Sequence, residues 1–380
     1  MSDLNAFWDR TAESEKPLEK MEKTTADTNL KGNDSENILV ETAASAEEWD
    51  SLVESSRQSA IYHRHAFIDA IAEESGTRLC PLIVKKNGEP LGFFPVFIKK
   101  FGGFRIGFSP PPGVLVPNLG PVLIAAVSHQ SDRERMEGEM AETLSNYLER
   151  ELKLSFIRFT TTWNNGFDVR HYTWRGFKAR PVYTYSIDLS NGVDEASKGF
   201  KQQLRRLARR AAQYEELRLV EGDIDVYRDI VRLTRSRYRE QGEHWAPSDA
   251  YLEKVFHALN KGEQRLRCWA VFSGDDLISG LAVPFFGGTA AHWFGAVRYE
   301  APFMGINEWL HRTAMEEAAA AGCHTYDLVG ANTERLCRHK SRYNPNLEVY
   351  FNVEKRLGLR GAALRVLEND RIKGLLKRMR

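Results

Sequence analysis

A chain of 380 residues is too long for one ordinary hydrophobic core and suits two domains of roughly 150 residues each with a remainder of tail. Apolar residues make up 42% and charged residues 28%, the balance of a soluble globular protein rather than a disordered or fibrous one. A formal net charge of +1 excludes a chain-wide preference for nucleic acid or membrane, so any such partner has to be met by a local patch.

Residues 1–36 are rich in Glu, Lys, Asp and Thr and too poor in large apolar side chains to offset the entropy of ordering, so they read as a disordered tail. They hold no apolar run of the signal-peptide kind, and nowhere do eighteen apolar residues stand together. Cys80, Cys268, Cys323 and Cys337 form no CxxC pair and no disulfide framework. A cytoplasmic, reducing location is expected.

Order is expected from a short strand at 38–40. Ser45-Ala46-Glu47-Glu48 is a capping box that starts a helix through Leu52 and Val53, and a second helix spans 66–74. Residues 80–100 read as a hairpin turning at Lys86-Asn87-Gly88. A Pro/Gly-rich loop follows, from Ser109-Pro110-Pro111-Pro112-Gly113 to Asn118-Leu119-Gly120-Pro121, then a helix over 132–153 and a strand over 155–161. After a bridging strand at 182–189 the order of helices and then hairpin returns: helices at 198–214, 225–241 and 248–262, the last opened by a Ser248-Asp249 cap after Pro247, and strands at 267–272, 278–286 and 290–297. Both hairpins place a polar Gly turn before an apolar strand with an interior glycine (Gly92, Gly280) and then a proline (Pro95, Pro284), the mark of an internal duplication. A helix over 306–321 ended by Gly322, a strand at 325–329 and another at 348–353 complete the second half. Strand, helix, strand in that order implies a crossover and a mixed sheet. The expected fold class is α/β with mixed sheets, in two domains, 37–189 and 190–355, followed by a basic amphipathic helical tail, 356–380.

Four stretches in this order carry a family likeness. They are Tyr62-His63-Arg64-His65-Ala66-Phe67 with the hairpin and the Ser109-Pro110-Pro111 loop; Phe200-Lys201-Gln202-Gln203-Leu204-Arg205-Arg206-Leu207-Ala208-Arg209-Arg210; Thr234-Arg235 with Gly242 and Pro247; and Asp327-Leu328-Val329-Gly330 followed by His339-Lys340-Ser341-Arg342-Tyr343. Together they resemble the FemAB-like branch of the GNAT superfamily, which includes CelD/BcsL-type acetyltransferases and the peptidoglycan-bridge aminoacyltransferases, over residues 38–355. The resemblance implies two tandem GNAT-like domains and an acyltransferase acting on an amine of a cell-envelope or polysaccharide precursor. An amine that attacks an activated acyl group passes through a tetrahedral oxyanion, which needs cationic or hydrogen-bonding stabilisation. By resemblance the lysine of the loop after the terminal strand, here Lys340, contacts the reacting group or its phosphate. Asp327, at the head of an apolar strand, either orients a base or caps the turn.

The second stretch puts Lys201, Arg205 and Arg209 in one line at i, i+4 and i+8, with Phe200, Leu204, Leu207 and Ala211 as the buried stripe. Such a cationic face suits a phosphorylated or lipid-linked sugar or peptide, a CoA phosphate or the backbone of an aminoacyl-tRNA; the plain alternative is a solvated face paired with Glu215 and Glu216. GNAT enzymes that take acetyl-CoA place a Gly-rich turn before a helix, and the corresponding segment, 298–305, has one glycine. Gly305 and Asn307 mark the expected donor site for acetyl-CoA or another acyl-CoA, with aminoacyl-tRNA as the alternative donor. Trp245, His292 and Trp293 line an acceptor groove or belong to the core, and Arg342 and Tyr343 complete the substrate-binding set. Cys323-His324 and Cys337-x-His339 fit no standard zinc spacing, so no metal is expected. GxSxG, HExxH, P-loop and kinase signatures are missing, and no DNA partner is expected. The basic tail either lies on an anionic membrane or packs back with its charges outward. A third reading is a non-catalytic scaffold in envelope biosynthesis.

Overall fold

The computed structural model describes residues 37–361 apart from 125–126, 164–165, 262–264, 299–300 and 360. The expected N-terminal tail and residues 362–380 of the expected basic helix lie outside the described residues. The first half runs β1 (Ile38–Thr42), α1 (Ala46–Ser55), α2 (His65–Ser75), β2 (Arg78–Lys86), β3 (Glu89–Phe101), β4 (Phe104–Ser109), β5 (Val122–Leu123), α3 (Gln130–Arg150), β6 (Phe156–Thr160), α4 (Arg170–Thr173) and β7 (Lys178–Asp188). The second runs α5 (Gly192–Lys198), α6 (Gln202–Ala211), β8 (Leu217–Glu221), α7 (Ile224–Glu240), α8 (Asp249–Leu259), β9 (Leu266–Ser273), β10 (Asp276–Phe286), β11 (Thr289–Ala291), β12 (Phe294–Val297), α9 (Ile306–Ala320), β13 (Thr325–Asp327), α10 (Glu334–Lys340) and β14 (Asn346–Arg356). The caps read from sequence are in place: Ser45 accepts the Glu48 N–H, and Ser248 accepts the Tyr251 N–H.

Strand pairing makes the duplication visible. One mixed sheet has the order β1-β2-β3-β4-β6-β14-β7-β13-β11-β10-β9-β8. In the first half β4 and β6 are parallel across α3, and in the second β11 and β13 are parallel across α9. The two glycines of the expected repeat each let a helix come close, but not the equivalent helix: α3, which follows the first hairpin, and α7, which precedes the second. A Cβ on Gly92 of β3 would meet the Val122 carbonyl at 2.5 Å and Met140 of α3 at 2.6 Å, and one on Gly280 of β10 would meet Ile230 of α7 at 2.4 Å. A helix therefore lies directly on the middle strand of each hairpin.

The halves exchange their last strands. β7 follows the first half in the chain but pairs with β13, whereas β14 follows the second half but pairs with β6, and β7 and β14 pair with each other. The cores follow the exchange: Val353 of β14 packs with Phe94, Phe159 and Leu148, and Ile187 of β7 packs with Leu310 and Tyr326. A third core bridges the halves, gathering Trp49, Phe67 and Phe93 with Tyr227, Leu252 and Trp293. Tyr251 of α8 reaches across to donate to the Val114 carbonyl at 2.9 Å, and Lys254 bonds Asp69 and Glu73 of α2.

Three expected elements are interrupted, each for a visible reason. The helix expected at 198–214 breaks between α5 and α6 because Phe200 turns into the core against Tyr343, and the Lys201 N–H donates to the Arg342 carbonyl rather than back along the helix. The strand expected at 290–297 breaks at His292-Trp293, where the Trp293 indole turns to the first half and donates to the Leu115 carbonyl at 2.7 Å. The strand expected at 325–329 ends at Asp327, since Val329 and Gly330 both take left-handed backbone, with φ 49° and 85°. The segment expected to be a lysine-bearing loop is the helix α10 up to Lys340.

Candidate functional site

The sheet splits at one place. β11 pairs with both β10 and β13, but past the break at His292-Trp293 β12 keeps only β10. Past Asp327 the other strand leans the opposite way: the Leu328 and Ala331 N–H groups donate to the Tyr185 and Tyr183 carbonyls of β7. The wedge between β12 and residues 328–331 opens into a cleft of about 480 Å³, closed by the start of α9, by α10 and by the C-terminal end of α7. His292, Trp293, Asn307, Lys340 and Tyr343 line it, as do His311, His339, Arg237, Tyr238 and Arg335. The free edge of β12, Gly295 to Val297, faces the same space, so its backbone can pair with an extended ligand.

Lys340 and Asp327 are joined through the turn that forms the wedge. Lys340 Nζ donates to the Val329 carbonyl and, at 2.9 Å, to the Gly330 carbonyl. Asp327 accepts the Val329 N–H at 2.8 Å, the Thr184 hydroxyl at 2.6 Å and the Trp163 indole N–H at 3.0 Å. Burial pushes the Asp327 carboxyl above the ordinary range, against the pull of those donors and of Lys340. Its side chain does not enter the cleft; it lines a second, smaller cavity with Tyr62, Asn118 and Trp163.

The cleft wall carries one buried imidazole, His311, and two half-buried ones, His292 and His339, in a chain of ring contacts. His292 and His311 lie 4.8 Å apart between centroids, and His311 and His339 each contact Tyr343. His311 Nδ1 is 2.9 Å from the Tyr326 hydroxyl, and His339 Nε2 is 3.4 Å from Asn307 Nδ2. Burial lowers His292 to about 3, with Lys340 pushing the same way, and it also lowers His311 and His339. All three are therefore neutral near pH 7 and present hydrogen-bonding faces without charge. Burial raises the Tyr343 phenol well above its usual value, and its hydroxyl has no hydrogen-bond partner.

The remaining residues singled out from sequence lie around the cleft. Lys201 caps α6, and Arg205 and Arg209 follow on it; none pairs with a carboxylate among the described residues, Glu215 and Glu216 included, whereas nearby Lys198 pairs with Glu195. Arg342 bonds Gln203 of α6 and does not line the cleft. Trp245 packs edge-on against Tyr238 and Phe294, behind the wall. Gly305 caps α9 with φ 88°, and a Cβ there would stand 2.2 Å from the Leu207 carbonyl of α6. The glycine thus lets the basic helix abut the start of α9, and Asn307, two residues on, reaches the cleft. His311 went unread although it sits at i+4 from Asn307, a spacing that puts both on one helix face.

Cys323-His324 and Cys337-x-His339 do not converge. Among the described residues, the group whose ligating atoms lie within 4.8 Å of one another is Glu137, Asp168 and His171, in the first half and away from the cleft. Arg170 already holds both Asp168 oxygens, and Arg133 bonds Glu137, so these carboxylates are committed to cations of the chain itself.

Residues 198–341, which include α6, the hairpin, α9 and Lys340, match the acetyltransferase (GNAT) domain family. The chain has the fold of FemX over 87% of its length and 99% of that chain, at TM-score 0.64 and 13% identity. L-PGS from Bacillus licheniformis is similar at TM-score 0.51 and 11% identity over 84% and 95% of the two chains. A conserved protein of unknown function from Bacteroides thetaiotaomicron reaches 0.54 and 11% over 84% and 100%. A comparison with curated proteins finds no match. The fold is the FemAB-like duplicated GNAT fold, and the chain is an acyltransferase. Among the described residues no helix is long and apolar enough to cross a membrane.

Proposed function

We propose that the cleft is the seat of N-acyl transfer from an acyl-CoA to an amine of a cell-envelope or polysaccharide precursor, in a protein of two domains, 37–189 and 190–355, working at the cytoplasmic side. The observation that carries the reading is the place of Lys340: a tethered ammonium at the point where the sheet splits, opposite the free edge of β12. An extended acyl-thioester arm hydrogen-bonds along that edge, with Asn307 and the N-terminal end of α9 toward its anionic part. The amine nitrogen bonds to the acyl carbon, and the oxyanion that forms is stabilised by the Lys340 charge and the α9 dipole. The carbon–sulfur bond then breaks, and the proton lost by the amine leaves with the thiol. Neutral His292, His311 and His339 wall the site without competing for the anionic oxygen.

A test is turnover of acetyl-CoA with a panel of amino-sugars and peptide amines, followed as thiol release. Release that depends on both the amine and Lys340 supports the reading, and none with any amine removes it.

Aminoacyl transfer from tRNA is the second reading, and one observation favours it: the α6 face of Lys201, Arg205 and Arg209 has no carboxylate partner among the described residues. The same face suits a phosphorylated or lipid-linked acceptor. The fold shared with FemX and with L-PGS accords with either.

A further inference from the structure

A small chamber at the junction of the halves gathers side-chain oxygens that have no partner among the described residues. It holds about 30 Å³ and is lined by Tyr62, Asn118 and Trp163 from the first half and by Thr289, Ala291 and Asp327 from the second. Tyr62 and Asn118 are 3% and 4% exposed, yet the Tyr62 hydroxyl and Asn118 Oδ1 have no hydrogen-bond partner. Asp327 lies close enough for its charge to push the Tyr62 phenol upward, but the two do not bond, so they face each other across the chamber. Buried polar atoms left so are costly, and native proteins seldom carry them.

A water molecule would serve the phenol and the amide; the carboxylate asks for more. Asp327 Oδ1 accepts the Thr184 hydroxyl and the Val329 N–H, and Oδ2 accepts the Trp163 indole N–H. All three donors are neutral, and Oδ2 keeps a lone pair for one further partner. The Lys340 ammonium, whose charge acts on this carboxylate from a distance, spends its bonds on the Val329 and Gly330 carbonyls. A buried carboxylate met at contact distance by neutral dipoles alone favours a positive partner there. Carboxylate, amide and phenol oxygens around one space are the ligands of a hard cation. One carboxylate balances one positive charge, and a space on the scale of a water molecule has no room for the hydration shell that Mg²⁺ retains. Trp163 and Thr289 are half-exposed, which gives an ion a way in from solvent.

We infer that the chamber is a binding site for one alkali cation, of the sodium or potassium class, held by Asp327 Oδ2, Tyr62 Oη and Asn118 Oδ1 between the two halves. With ligands from both halves, the ion is a tie across their junction. It also steadies the turn at Val329-Gly330, because Asp327 gives its other oxygen to the Val329 N–H. No step in the cleft passes through it, and the assignment stands apart from the transfer reading.

The test uses the full chain exchanged into tetramethylammonium chloride and titrated with KCl or NaCl at constant ionic strength, read by thermal shift and calorimetry. A saturable rise in melting temperature with at least one of the two alkali salts is expected. Asp327→Asn should weaken the affinity by roughly tenfold or more and Tyr62→Phe by a few-fold, with near-ultraviolet circular dichroism checking the fold; if Asp327→Asn does not fold, Tyr62→Phe decides. Equal melting in all three chlorides means that the chamber holds water alone and overturns the assignment, as does an alkali-salt response that the folded variants keep in full. A stronger response to MgCl2 than to either alkali salt, lost in the variants, overturns the monovalent class.

Discussion

Asp327 Oδ1 accepts the N–H of Val329, two residues along, at 2.8 Å, and this bond holds a β-branched residue in left-handed backbone at φ 49°. Such backbone is strained for valine and persists only where its surroundings enforce it. Lys340 enforces it from the other side by bonding the Val329 and Gly330 carbonyls. Carboxylate and ammonium therefore grip one turn, and that turn opens the wedge in the sheet. Asp327→Ala leaves the Thr184 hydroxyl, the Trp163 indole and the Val329 N–H unsatisfied and should cost about 2–4 kcal/mol of unfolding free energy. Urea titration followed by fluorescence measures it; a loss under ~1 kcal/mol would show that the turn stands without the carboxylate.

Lys340→Met keeps the length of the side chain and removes its charge. Losing its bonds to the Val329 and Gly330 carbonyls should cost about 1–3 kcal/mol, while acyl transfer by the folded variant falls by about 10²–10³, the scale for loss of one oxyanion-stabilising group. Thiol release at saturating donor is the measurement. Retention of most of the activity assigns Lys340 to the turn and takes it out of the chemistry.

How much of this was legible in the sequence depended on how local the signal was. The caps at Ser45 and Ser248, the turn at Gly88 and the paired glycines Gly92 and Gly280 are contained in a few residues each, and the structure has them in place. Lys340 and Tyr343, three residues apart, line one cleft, and His292 joins them there from another strand, a meeting that only the fold produces. The insertion of β14 between β6 and β7 was not: it pairs Val353 with Phe159 and with Ala179, separations at which no short window holds a pattern. For the same reason Tyr62, Asn118 and Asp327 gave no hint of meeting. The breaks at Phe200 and at His292-Trp293 were missed because tertiary contacts overrode a locally continuous pattern.

Stability should fall as the solution is acidified from pH 6.5, before most carboxylates titrate. His63 Nδ1 accepts the Ala60 N–H while Nε2 bonds the Gly120 carbonyl, an arrangement that needs the neutral ring; burial lowers this residue to about 4 and His292 to about 3. Both values lie below those of the unfolded chain, so between pH 6 and about 4.5 the unfolded state binds protons that the native state refuses. Each imidazole then costs up to ~1.4 kcal/mol per pH unit, and above pH 6.5 neither costs anything. Asp327, raised by burial, works in the opposite sense at lower pH. His311 and His339, also lowered by burial, add to the same slope. Urea midpoints at pH 7, 6 and 5 check it, and His292→Gln should reduce it by no more than about a third; a flat profile would mean that these rings protonate freely in the native protein.

The α6 cations give a prediction that does not depend on the chemistry. Arg205 and Arg209 are a turn apart, without carboxylate partners among the described residues, so a bound polyanion would displace counterions there. If bulk tRNA binds this face, the slope of log K against log salt should lose about 2 in the Arg205→Ala, Arg209→Ala variant. An unchanged slope places any tRNA contact elsewhere, and no binding by the wild type leaves a small phosphorylated substrate as the ligand of the face.

Gly305→Ala separates a packing role for this glycine from a donor-binding one. Two independent terms oppose the methyl group: φ of 88° is outside the range an L-residue adopts without strain, and the Leu207 carbonyl stands 2.2 Å from where the Cβ would go. A carbonyl in a helix has no rotamer to move, so α6 and α9 have to separate. The combined cost should be about 2–4 kcal/mol, most of it seen as a lower urea midpoint at unchanged slope. Since α6 carries the cations and α9 carries Asn307 and His311, the same substitution should weaken anionic ligands on α6 and slow transfer in the cleft together. A variant as stable as the wild type that loses only donor binding would instead mean that Gly305 is open to the donor, and that the close contact with Leu207 is not what the glycine is there for.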